Sequence, residues 1–64
     1  MISLARRNGH PVIVNADLIE IVERSEDGAT VVTLTTGNLL EVVQSPEDVA
    51  SAVVAYRQRI AVRP

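Results

Sequence analysis

The 64-residue sequence contains no cysteine, tryptophan, phenylalanine or lysine. Without cysteine there is no disulfide framework and no thiolate metal site. A single histidine, His10, leaves no histidine cluster for a metal within one chain. A single aromatic, Tyr56, argues against platforms that stack bases or sugars. There is no Gly-rich phosphate loop. Apolar runs stop at four or five residues, far short of a membrane span. Residues Met1 to Asn8 lack the apolar run of a signal peptide, so a cytoplasmic protein is expected, with no membrane insertion.

What is present is a globular composition, 47% hydrophobic and 22% charged. One domain over residues 1–64 is expected. A chain of this size buries only about 60% of its unfolded surface. Its core must come from Val, Leu, Ile and Ala. Small scaffolds without staples need near-ideal packing or self-association. A homo-oligomer is therefore expected.

Charge is unevenly placed. All eight acids (Asp17, Glu20, Glu23, Glu26, Asp27, Glu41, Glu47 and Asp48) lie in the middle of the chain, with one base, Arg24. Arg6, Arg7, Arg57, Arg59 and Arg63 lie in flanks that carry no acid. The middle therefore holds −7 and the flanks +5. Such a split reads as a solvated surface or as electrostatic docking to a second copy or a partner.

Asn8-Gly9, Asp27-Gly28 and Thr36-Gly37-Asn38 are turn signals. Ile2-Ser3-Leu4 alternates as a half-buried strand does. Pro11 to Val14 is a second run, with Pro11 at a strand start. Leu18 to Arg24 and Thr30 to Thr35 flank the Asp27-Gly28 turn as a hairpin. Leu39 to Val43 is the fifth strand. In Thr30–Thr35, Val32 and Leu34 take one face and Val31, Thr33 and Thr35 the other. In Leu18–Arg24, Ile19 and Ile21 share one face and Leu18 and Val22 the other. Apolar residues on both faces of that strand imply burial on both sides.

The period then changes. Ser45-Pro46-Glu47-Asp48 is a helix start: Ser45 caps free N–H groups and Pro46 sits where its missing N–H costs nothing. Asp48, three residues after the cap, suits a capping-box-like role. Glu47 and Asp48 meet the positive end of the helix dipole, and Arg57, Arg59 and Arg63 lie toward its negative end. The helix is expected over about 46–60. Val49, Val53, Tyr56 and Ile60 form the stripe that faces the sheet. Ala50, Val54 and Ala61 form a second stripe, read either as scattered surface apolars or as contacts to a neighbouring subunit. The expected fold is small α+β: an antiparallel β-sheet of four to five short strands within about 2–44, built from hairpins, followed by one C-terminal amphipathic α-helix.

Candidate chemistry is sparse. His10 lies in a turn and reads as a surface residue. Asp17, Glu20 and Glu23 could line up as acids at a loop–strand junction, but strand alternation separates Glu20 from Glu23 and no His or Cys stands beside them. No base is placed to activate Ser3, Ser25, Ser45 or Ser51. Arg6 and Arg7, beside Asn8-Gly9, form a basic tip that with Arg57 and Arg59 could meet phosphate. No enzymatic activity is expected.

Several residues carry a resemblance. They are Met1-Ile2-x-Leu4, Asn8-Gly9, Val14-Asn15-x-Asp17-Leu18-Ile19-Glu20-x-Val22-Glu23, Val32-x-Leu34-x-x-Gly37, Val42, Ser45, Val49 and Tyr56-Arg57-x-x-Ile60. Together they resemble the FlbD/SwrD family of small bacterial flagellar proteins, and they span about residues 1–60. Asn15-Ala16-Asp17-Leu18-Ile19-Glu20 is the most specific part. The chain departs from the family in its longer Ser25-Glu26-Asp27-Gly28-Ala29 turn and its lack of lysine. It also has Val12-Ile13-Val14 where an aromatic often precedes. The resemblance implies a non-enzymatic accessory protein without a cofactor, supporting flagellar motor power and swarming by contacts at or near the stator. Asn15 and Asp17 are natural turn formers before a strand; alternatively Asn15, Asp17, Glu20 and Glu23 form part of a docking face.

A second family is also similar. Ile2-x-Leu4-Ala5-Arg6-Arg7-x-Gly9, five strands and a terminal helix resemble the carbon-storage-regulator family of dimeric RNA-binding proteins. There Arg6 and Arg7 would match the RNA-contacting strand. The fifth strand here lacks a basic residue, which weighs against RNA.

Overall fold

A computed structural model describes the backbone of residues 1–61 and the side chains through Arg59. Five strands precede one helix: β1 (Ile2–Ala5), β2 (Pro11–Val14), β3 (Ile19–Arg24), β4 (Thr30–Leu34), β5 (Leu39–Val42) and α1 (Pro46–Ala61). A 3-10 turn, Ala16–Leu18, leads into β3. The fold is small α+β, as the alternation and the change of period predict.

All three hairpin connections are built alike. Across the β3–β4 turn the Gly28 N–H donates to the Ser25 carbonyl at 3.0 Å, and the Ser25 N–H donates to the Ala29 carbonyl at 2.8 Å. The same pair of bonds links Arg6 with Gly9 and His10, and Leu34 with Gly37 and Asn38. This is a type I turn closed by a left-handed residue. At Gly28, φ is +89°, a conformation that a side chain makes costly. Asn8, Asn15 and Asp27 each accept from the backbone N–H two residues on, at 2.9, 3.0 and 3.1 Å. That is the reason such residues favour turns.

The five strands form two antiparallel ladders, β1–β2 and β3–β4–β5, rather than one continuous sheet. The break is stitched. The Arg6–Val42 bridge, the Val43 N–H to the Ala5 carbonyl (2.9 Å) and the Arg7 N–H to the Glu41 carbonyl (3.2 Å) lay the end of β1 beside the end of β5. The Ala5 N–H also donates to Gln44 Oε1 at 3.1 Å. The strands therefore follow one another in the spatial order β2, β1, β5, β4, β3.

The phase of β3 differs from the sequence expectation. Ile19 stands opposite Leu34, yet Ile21 stands opposite Thr33, so one extra residue, Glu20, is accommodated as a bulge. A bulge resets which face each later residue takes. Ile19 and Val22 consequently both pack against the core, while Ile21 is turned outward and 47% exposed. Leu18 belongs to the 3-10 turn and not to the strand. Within the single chain, then, β3 buries the face that carries Ile19 and Val22 and leaves Ile21 in solvent.

Helix α1 starts as expected. The Asp48 N–H donates to Ser45 Oγ at 3.1 Å, and the Val49 N–H to the Ser45 carbonyl at 3.0 Å. The helix lies across β1 and β3, so it covers both ladders at once. Val49 is fully buried, and Ala52, Val53 and Tyr56 pack beside it. Ile2, Leu4 and Val14 from the first ladder meet Val32 and Val42 from the second, with Ala16 between them. Among the described residues Val32, Val42 and Val49 are the largest side chains that are wholly enclosed. The side chains of Ile60 and Ala61, expected in the two helix stripes, lie outside the described residues, as does Arg63.

Candidate functional site

The residues singled out for docking are placed differently from one another. Asn15 Oδ1 accepts the Asp17 N–H at 3.0 Å, so Asn15 has a turn-forming role. Asp17 is exposed in the 3-10 turn, and Glu20 is the exposed extra residue of the bulge. Glu23 is exposed beyond it, beside Val31 of β4. Among the described residues no group of three acids or histidines is arranged to hold a metal ion.

The register assembles a surface that the linear sequence hides. Residues directly opposite on antiparallel strands project to the same side. On the side of the β3–β4–β5 ladder away from α1, Ile21, Thr33 and Leu39 form one row. Glu23, Val31 and Glu41 form the next. Leu39 is 65% exposed. Two large apolar side chains thus stand in water beside two carboxylates on a rigid three-stranded platform. Exposed apolar side chains standing singly are ordinary on a monomer; here Ile21 and Leu39 flank Thr33 in one row. Sequence alternation alone missed Ile21 because of the bulge. It left Leu39 ambiguous because Leu40 follows it; the hairpin register is the signal that separates the two.

One end of this face is fixed electrostatically. Arg7 Nη1 lies 3.2 Å from Asp27 Oδ2 and 3.6 Å from Glu41 Oε2. Asp27 also accepts from Ser25 Oγ and from the Ala29 N–H. The Ser25 hydroxyl, then the Ala29 N–H and Arg7, hold its carboxyl below the usual aspartate value. The basic tip is therefore shared with two acids. Arg6 and Arg7 line a depression with Asn8, Leu39 and Glu41, whereas Arg59 lines another with Met1, Ser3, Ala52, Ala55 and Tyr56. Ala50 and Val54 both project into solvent, Val54 at 53% exposure.

Compared with known families, residues 1–61 match the FlbD family, described as flagellar and swarming motility proteins. The match covers nearly the whole chain. The chain belongs to the FlbD family. Neither a curated protein nor a solved structure matches it. Membership bears out the resemblance read over about residues 1–60 and assigns this FlbD-family chain a role in flagellar and swarming motility. No helix among its described residues is long and apolar enough to cross a membrane.

Proposed function

We propose that this FlbD-family chain supports flagellar motor power by protein–protein contact, acting at the cytoplasmic side of the motor on stator components or their neighbours. The observation that supports this reading is the open face of β3–β4–β5, where Ile21 and Leu39 stand beside Glu23 and Glu41. A fitting partner presents apolar side chains flanked by Lys or Arg. The apolar row supplies contact area, and the acids orient the encounter and reject acidic partners. No reacting group or cofactor takes part in this role.

The test is an in-frame deletion in the native host, scored for swimming and swarming while filaments are counted. Normal filament numbers with weak movement support a role in motor power. Lost filaments would move the role to assembly or gene expression. Unchanged motility, in a host that swims, would reject the proposal.

A further inference from the structure

Helix α1 carries a second stripe about a third of the way round from the face that covers the sheets. Glu47, Ala50, Val54 and Arg57 recur at intervals of three, four and three residues, and all four are exposed. This is the spacing of a helix–helix seam. Among the described residues neither Glu47 nor Arg57 makes an ion pair within the chain.

The stripe is symmetric about the level of residue 52. Glu47 and Arg57 lie five residues to either side of that level, and Ala50 and Val54 two residues to either side. A second helix laid antiparallel across it brings Glu47 opposite the partner's Arg57, and Arg57 opposite the partner's Glu47. Ala50 then meets the partner's Val54, so a small side chain receives a larger one. The two ion pairs stand about 15 Å apart, at 1.5 Å per residue. Opposite charges at the two ends and an apolar centre make the surface complementary to itself, as a two-fold interface requires. Antiparallel pairing also sets the two helix dipoles in opposition.

We propose that two copies of this chain pair through α1, antiparallel, with Glu47 of each copy against Arg57 of the other and Ala50 against Val54. The occupant of the helix stripe is thus a second copy. Two further observations point the same way. Among the described residues the largest wholly enclosed side chains are three valines, a thin interior for a free subunit of this size. The pairing also leaves the open face of β3–β4–β5 uncovered on the far side of each copy, so a dimer presents two such faces.

The test is sedimentation of the full chain over a concentration series, with circular dichroism to confirm folding. The wild type sediments toward twice the chain mass as concentration rises. Glu47→Arg alone and Arg57→Glu alone each set like charges against one another and weaken association by roughly tenfold or more. An equimolar mixture of the two variants restores complementary pairs and sediments as a dimer again. Val54→Asp stays monomeric and folded, which keeps the test open if Glu47→Arg disturbs the helix start. Leu39→Asp, on the open sheet face, pairs as the wild type does. A wild type that remains monomeric, single charge variants that associate as the wild type does, or a Leu39→Asp variant that is monomeric would overturn the proposal.

Discussion

Arg7 and Asp27 are twenty residues apart in sequence, and the Arg7 guanidinium donates to the Asp27 carboxylate at 3.2 Å. The contact links the β1–β2 turn to the β3–β4 turn, across the two ladders, at the protein surface. Asp27 also organises its own turn through Ser25 and Ala29. Its carboxyl is held below the usual aspartate value, so the folded chain favours the ionised form. Stability from this group is present above pH 3.8, the ordinary value, and is lost as pH falls through the lower folded value. Asp27→Asn keeps an acceptor for the Ala29 N–H but removes the charge. Urea melts should show it less stable than the wild type at neutral pH. The two curves should converge in acid. A gap of constant size across the whole pH range would show that the charge contributes nothing.

The helix start gives a second prediction. Ser45 Oγ accepts the Asp48 N–H at 3.1 Å. Ser45→Ala leaves that group without its partner and should cost about 1 kcal/mol. In a domain this small the melting temperature should fall by roughly 4–8 °C. An unchanged melting temperature would mean that water replaces the cap at no cost.

At Gly28 the cost is conformational alone. Its φ is +89°, and nothing lies within 4 Å of where a Cβ would stand. Gly28→Ala should therefore destabilise by about 1 kcal/mol through backbone strain, without a clash. Thermal melts check this. A loss several times larger would point to a contact that the present geometry does not contain.

Two valines five residues apart on α1, on different sides of the helix, should behave oppositely. Val49 is fully buried, while Val54 is 53% exposed. Val49→Asp places an unpaired charge in the core and should abolish folding. Val54→Asp should leave the helical signal intact. A folded Val49→Asp chain would mean that α1 does not seat on the sheets as described.

Most of the fold was legible in the sequence because its signals are local. Three turns with a left-handed glycine, a proline at the first position of α1 and a serine cap before it set the boundaries of every element to within about a residue. The change of period at Ser45 located the only long helix among the described residues. What was not legible depends on pairing. The bulge at Glu20 shows only when Ile19 and Ile21 are set against Leu34 and Thr33. Without it, Ile21 reads as a core residue and Val22 as its opposite. The same limit separated the candidate site from its sequence signature. Asn15, at the start of the most specific segment of the resemblance, accepts the Asp17 N–H and so holds a turn. Leu39 and Glu41, which share a face with Ile21 and Glu23, sit in a run where Leu39-Leu40 masks the alternation. The stitching of the two ladders likewise rests on long-range bonds at Ala5 and Arg7, which no local pattern announces.

RNA binding makes a contrasting demand. A phosphate-binding tip needs free cations, and affinity then falls by about 0.7 to 0.9 log units per log of salt for each phosphate neutralised. Arg7 is engaged by Asp27 and Glu41. The chain should show no retention on RNA at low salt. Retention that declines steeply with salt would favour the regulator reading instead.

The central claim is that motility depends on the open face of β3–β4–β5. The most direct measurement complements the deletion strain with Ile21→Asp, Leu39→Asp and a double charge reversal at Glu23 and Glu41. Swimming speed is read alongside filament number and the amount of folded protein. Normal filaments and normal protein levels with weak movement are expected for all three variants. Wild-type movement in all three, with the protein present and folded, would contradict it.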